Sequence, residues 1–210
     1  RHPAVTAFLA QENAQKALEA GVTTIRNLNS VDGIDLAMRD LINMGKMIGP
    51  RMFVSGLGIR ITRSTAPPAP IGIMADGVDA VIHAVRQVIA SGTDWVKMYG
   101  STGGFDDVTQ AQTFTFEEMK AAVDAAHTLG KKVAIHSYGP GGARDAVRAG
   151  ADSLEHATGM DDQTIAEMVK RKIYYIPTID HNQLRGERRH GLPFPAGHET
   201  AAARLHSAQF

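Results

Sequence analysis

The chain has 210 residues, with 22 Lys and Arg against 22 Asp and Glu, so its formal net charge is zero. That balance argues against nucleic acid or an anionic membrane as the main partner, because both require a basic patch, and no stretch approaches the roughly 20 apolar residues of a membrane span. Hydrophobic residues make up 43%, enough for one sizeable core, and the absence of Cys removes disulfides, Cys-based zinc sites and Cys nucleophiles.

In chain order, short apolar strands alternate with longer amphipathic stretches. Glu12 to Ala20 reads as a helix ended by Gly21, and Val22 to Arg26 as a β-branched strand. Ile34 to Met44 reads as a helix with Leu36, Leu41 and Ile42 on one side, and Arg51 to Ser55 as a second strand. Gly56 to Gly77, with Pro67, Pro68 and Pro70, is expected to be a long loop without regular structure. Val78 to Ala90 is a helix and Asp94 to Tyr99 a third strand, running into the Gly103-Gly104 loop. Thr115 and Glu118 fit a capping box opening a helix that stops at Gly130. Lys132 to His136, Asp152 to His156 and Ile173 to Pro177 complete six strands, separated by helices over Ala143 to Ala149 and Asp162 to Arg171. His181 to Gly197 reads as a polar loop or lid, and Glu199 to Ser207 as a final helix.

Strands alternating with helices imply parallel βαβ units with right-handed crossovers. An open doubly-wound sheet would want a Gly-rich turn after its first strand. Ile25 is instead followed by Arg26-Asn27-Leu28-Asn29, which leaves an α/β (β/α)₈ TIM-type barrel as the better reading.

Lys97, His136 and His156 each lie at or near the C-terminal end of a strand, the end that carries the active site in barrels. Period-2 alternation places His136 with Ala134, opposite Val133 and Ile135; Lys97 with Trp95; and His156 with Leu154. One such residue is ordinarily a core or surface group, but three at the same ends of successive strands point to a shared mouth. Imidazoles are the commonest neutral metal ligands, whereas an ammonium is none. His83 and His127 fall inside helices as surface residues, and His181, just past the sixth strand, is a candidate substrate contact.

At these residues the chain resembles the amidohydrolase superfamily, in the branch of imidazolonepropionase-like and Xaa-Pro dipeptidase-like metal-dependent hydrolases. The pieces that carry the resemblance are Ala20 to Arg26, Gly49 to Met52, Asp94 to Lys97, Val133 to Gly139 and Ser153 to Ala157, in the family's order between about residue 12 and residue 182. The resemblance implies a metal-dependent barrel domain over 1–210, incomplete, holding the second to seventh of eight strands. It also implies one or two divalent metal ions, usually zinc. Lys97 stands where the family carries a lysine carboxylated by CO₂, and His136 and His156 stand at ligand positions. The family's His-x-His pair would precede Arg1, and its catalytic Asp would lie beyond Phe210, so the isolated 210 residues are expected to be inactive or nearly so. Asn27 stands where relatives commonly have Asp.

The implied reaction is hydrolysis of peptide-like or cyclic amide C–N bonds by a metal-activated water. The substrate is a small molecule or short peptide, with Tyr138 and His181 as contacts and Arg185, Arg188 or Arg189 for a substrate carboxylate. A cytoplasmic location is favoured and homo-oligomerisation is left open. Two other functions fit the residues: a degenerate barrel kept as a binding module, and a metal-free barrel using Lys97 as a Schiff-base nucleophile.

Overall fold

The computed structural model describes residues 2–62, 72–102 and 111–178. They divide into two compact units. The first comprises residues up to Lys97 together with Ala125–Lys132, and the second Met98–Asp124 together with the chain from Val133 onward.

In the first unit, helix α1 (Pro3–Glu19) begins nine residues earlier than the sequence reading placed it. Pro3 is no obstacle at that position, since the first helical residue needs no N–H partner, and the ring Nδ1 of His2 accepts from the Ala4 amide at 3.2 Å. Strand β1 (Thr24–Asn27) pairs in parallel with β2 (Arg51–Val54), Ile25 beside Met52. Between them, α2 (Ile34–Asn43) buries Ile34, Asp35 and Met38, whereas Leu41 on the expected apolar side is 39% exposed. Ile34 and Met38 join Ala14 of α1 and Met52 and Val54 of β2 in one apolar cluster.

The segment expected to lack regular structure carries two short parallel strands, β3 (Gly58–Arg60) and β4 (Gly72–Met74). A Cβ on Gly72 would lie 2.4 Å from the Gly58 carbonyl oxygen, so the pairing depends on glycine there. Thr62 ties off β3, its amide and hydroxyl both donating to Asp76. Helix α3 (Val78–Ala90) buries Val81, Ala84, Val85 and Val88. Strand β5 (Trp95–Tyr99) follows and passes from the first unit into the second between Lys97 and Met98.

In the second unit, the capping box forms as expected. The Thr115 amide donates to Glu118 Oε2 at 2.7 Å and the Glu118 amide to Thr115 Oγ1 at 3.2 Å, opening α4 (Phe116–Thr128), which belongs to this unit as far as Asp124. Strands β6 (Lys132–Ser137), β7 (Ser153–His156) and β8 (Tyr174–Ile176) run parallel in that order, with His136 beside Glu155 and Ser137 beside His156. Val133, Ala134 and Ile135 are fully buried, which befits a parallel strand covered on both faces. Helix α5 (Pro140–Ala149) opens with Pro140 in its first turn, three residues before the expected start, and α6 (Asp162–Arg171) is capped by Asp161. No helix among the described residues is long and apolar enough to cross a membrane.

Candidate functional site

The second unit gathers aromatic and imidazole rings at the C-terminal ends of β6 and β7. His136, 6% exposed, is the penultimate residue of β6, and Tyr138 follows it by two. The ring centroids of His136 and His156 are 4.7 Å apart at 74°. Tyr138 stacks on His156 at 4.6 Å and 17°, and meets His136 edge-on at 4.8 Å. Tyr99, at the end of β5, lies 5.3 Å from His136. Such edge and offset contacts each contribute roughly 1 kcal/mol beyond area burial.

The backbone around these rings is tied down. The Gly100 amide donates to the His136 carbonyl at 2.7 Å, the Tyr138 amide to Ser101 Oγ at 2.9 Å, and Thr158 Oγ1 to the Tyr138 carbonyl at 2.8 Å. Close approach here needs residues without a Cβ. A Cβ on Gly142 would meet Ser137 Oγ at 2.7 Å and the Gly100 carbonyl oxygen at 2.8 Å.

His156 reaches this cluster by an unexpected route. Laterally paired residues of parallel strands share a face, so Glu155 projects with His136, as does Ser153 two residues earlier. Continued alternation would send His156 to the opposite face, with Leu154. Instead His156 adopts φ 72° and Ala157 φ 39°, both left-handed, and the strand ends in a turn that carries the imidazole to His136. The turn is held from β8. The Tyr175 hydroxyl donates to the His156 carbonyl at 3.0 Å and, more weakly, to that of Ala157 at 3.4 Å. Beyond β8, Thr178 Oγ1 lies 2.7 Å from His156 Nδ1. Burial pushes the Tyr175 phenol up to about 12, so it stays a protonated donor at neutral pH.

Lys97 lies in the first unit. It is 3% exposed, between the fully buried Val96 and Met98. His83 and His127 are exposed on α3 and α4, as expected. His181, Arg185, Arg188, Arg189 and the expected final helix lie outside the described residues. The sequence reading missed Glu155, Tyr175 and Thr178. Glu155 is buried and accepts from Ser153 Oγ at 2.7 Å. Its only sequence signal was its place beside His156.

The first unit also has a cleft of about 270 Å³ between α1 and the β1–β2 pair, with Asn13, Asn29 and Asp35 among its lining residues. Asp35 is engaged there by the Gly56 and Leu36 amides, both at 2.9 Å, and by the Asn27 side chain at 3.5 Å. That carboxylate is therefore a structural acceptor. It also shows what Asn27 does: its amide can donate to Asp35, whereas an Asp would set two carboxylates together.

Two converging imidazoles suit a divalent metal as donors, being neutral nitrogen ligands on a pre-set backbone. Among the described residues no group of three His, Cys, Asp or Glu is placed to hold an ion.

The chain has known relatives. The amidohydrolase family matches residues 3–203, and the chain belongs to that family. It is 30% identical over 202 residues to an ochratoxinase of Aspergillus niger, covering 84% of this chain and 42% of that protein. A crystal structure of a Xaa-Pro dipeptidase with methionine bound in its active site is 32% identical, with TM-score 0.81 over 89% of this chain and 50% of that one. The crystal structure of the A. niger ochratoxinase is 26% identical, with TM-score 0.78 over 90% of this chain and 49% of that one. The chain thus spans about half the length of these relatives, and its parallel βα succession is part of a (β/α)₈ barrel.

Proposed function

We propose that this chain contributes a metal-binding wall to an amidohydrolase that cleaves amide C–N bonds in a small molecule or short peptide. The observation that carries the reading is the convergence of His136 and His156, from successive strand ends, with ring centroids 4.7 Å apart. Membership in the amidohydrolase family, with relatives named for dipeptide and ochratoxin chemistry, supports it.

In this reading His136 and His156 are ligands of a divalent ion, with zinc, which imidazole suits, as the metal proposed. Lys97, once carboxylated by CO₂, is an anionic ligand. Carboxylation changes an ammonium, which cannot ligate, into a bidentate carbamate, and the low exposure of Lys97 favours a form that is paired with a cation. Held by these residues, a divalent ion would supply a water of lowered pKa and Lewis-acid polarisation of a substrate carbonyl. The chain's own residues do the rest: Tyr138 and Tyr99 wall the imidazoles with rings that exclude water, and Gly100 and Gly142 let the strand ends close on them. Tyr138 and His181 are the proposed substrate contacts.

The test is metal analysis of the purified protein together with turnover of Xaa-Pro dipeptides and N-acyl amino acids. Bound divalent metal that is lost with His136→Ala would support the reading, and hydrolysis abolished by chelation would support it further while overturning the expected inactivity of the 210 residues. Absence of metal, with turnover surviving His136→Ala, would sink it. Borohydride trapping of a carbonyl compound on Lys97 would replace it with Schiff-base chemistry, and neither bound metal nor a trapped adduct would leave a binding module.

A further inference from the structure

Among the residues that no ligand role absorbs, those holding His156 stand out. Its backbone is left-handed, its carbonyl is held by the Tyr175 hydroxyl, and its ring nitrogen Nδ1 lies 2.7 Å from Thr178 Oγ1. Thr178 is itself left-handed at φ 48°, a conformation unfavourable for a β-branched residue. Strain of this sort persists where surrounding structure over-determines it. Here the surroundings include a hydroxyl set on an imidazole nitrogen.

We propose that Thr178 is a positioning residue for His156, receiving the Nδ1 proton so that the ring is held as a single tautomer whose ligating atom is Nε2. The proposal rests on the metal reading of His156 given above. The chemistry is specific. A ring nitrogen that donates to an oxygen cannot also ligate, so engagement of Nδ1 assigns ligation to the other nitrogen. The hydroxyl can accept this proton because an oxygen with two lone pairs keeps acceptor capacity whichever way its own hydrogen turns. Tyr138, stacked on the ring at 4.6 Å, opposes tilting, while Thr178 fixes rotation within the ring plane. Face and edge are thus set by different elements, β6 with its following loop and β8 with its following residues. Thr178 touches no substrate in this account and acts only through His156.

The experiment uses the full chain labelled with ¹⁵N in its histidines and stripped of metal. Long-range ¹H–¹⁵N correlation at about pH 8.5, above the ordinary imidazole range, reads which nitrogen carries the proton, with His156→Gln assigning the signal. The expected result is a single tautomer protonated at Nδ1 in the wild type and in Thr178→Ser, and a mixture in Thr178→Val. Zinc titration of the same proteins is expected to show about 10- to 100-fold weaker binding by Thr178→Val, and near wild-type binding by Thr178→Ser. A wild-type His156 protonated at Nε2, or a Thr178→Val protein with the wild-type tautomer, overturns the proposal. If Thr178→Val does not fold, Thr178→Ala takes its place, with the same tautomer mixture expected and the wild-type tautomer overturning the proposal. If the tautomer is as stated but no variant, the wild type included, binds zinc, the metal reading fails and the positioning role stands.

Discussion

At φ 72°, His156 occupies a region that disfavours residues with a Cβ by roughly 1–2 kcal/mol relative to right-handed or extended backbone. The hydrogen bonds to its carbonyl and ring offset that penalty, each contributing about 1 kcal/mol. The Tyr175 phenol is one of the donors, and its raised pKa gives a testable pH dependence. An acid whose folded pKa lies above its unfolded value near 10 stabilises the fold below pH 10, and that contribution is lost as pH rises toward 12. Ultraviolet titration of tyrosinate is expected to show one phenol ionising near the alkaline unfolding limit, with Tyr175→Phe removing that transition. The histidines were legible in sequence because residue type and strand end are local properties. The left-handed turn was not, because neither His156 nor Ala157 is a glycine that would have marked it. Alternation therefore gave the wrong face for His156.

Helix α5 shows how an element meets the site. Its first turn contains Pro140, Gly141 and Gly142, a run that reads as a breaker, so the sequence reading started the helix at Ala143. Proline is at home in a first turn, and Gly142 is required by contact. Replacing it with Ala gains roughly 1 kcal/mol of helix propensity, but its Cβ would meet Ser137 Oγ at 2.7 Å and the Gly100 carbonyl at 2.8 Å. Overpacking of that kind costs about 1–3 kcal/mol, so Gly142→Ala is expected to lower stability in denaturant melts. Gly141→Ala, whose Cβ would meet only Gln112 Oε1 at 3.4 Å, is expected to be neutral or stabilising. Strands β3 and β4 were illegible for the opposite reason: each is three residues long and exists through pairing with a neighbouring strand, which no local pattern records.

Helix α6 carries the acid-sensitive feature of this layer. Hydrogen bonds from Thr164, and then the Arg144 guanidinium at 2.7 Å, hold the Asp161 carboxyl down to about 2. A depressed carboxyl stabilises above its unfolded pKa of about 3.8 and loses that contribution as pH falls toward 2. Asp161→Ala is expected to cost about 1 kcal/mol at neutral pH, as N-cap losses do. The deficit relative to wild type should shrink between pH 4 and pH 2, which thermal melts across that range would show.

For the whole molecule, the ordered set of βα pieces was enough to read a partial barrel, because strand and helix periods are repeated along the chain. What the repetition could not convey is that the described residues gather into two compact units divided within β5. The first unit contains Trp95, whose ring has the Arg26 guanidinium at 4.5 Å and the Lys132 ammonium at 5.7 Å. Trp95 is the sole tryptophan of the chain, and its four tyrosines, Tyr99, Tyr138, Tyr174 and Tyr175, all belong to the second unit. Intrinsic fluorescence therefore separates the halves without a label. Indole emission excited at long wavelength reports on one, and phenol absorbance on the other. If the two signals change together in a urea titration, the halves melt as one cooperative body; if the indole moves at a different midpoint, the chain contains two independent folding steps, each with its own optical colour.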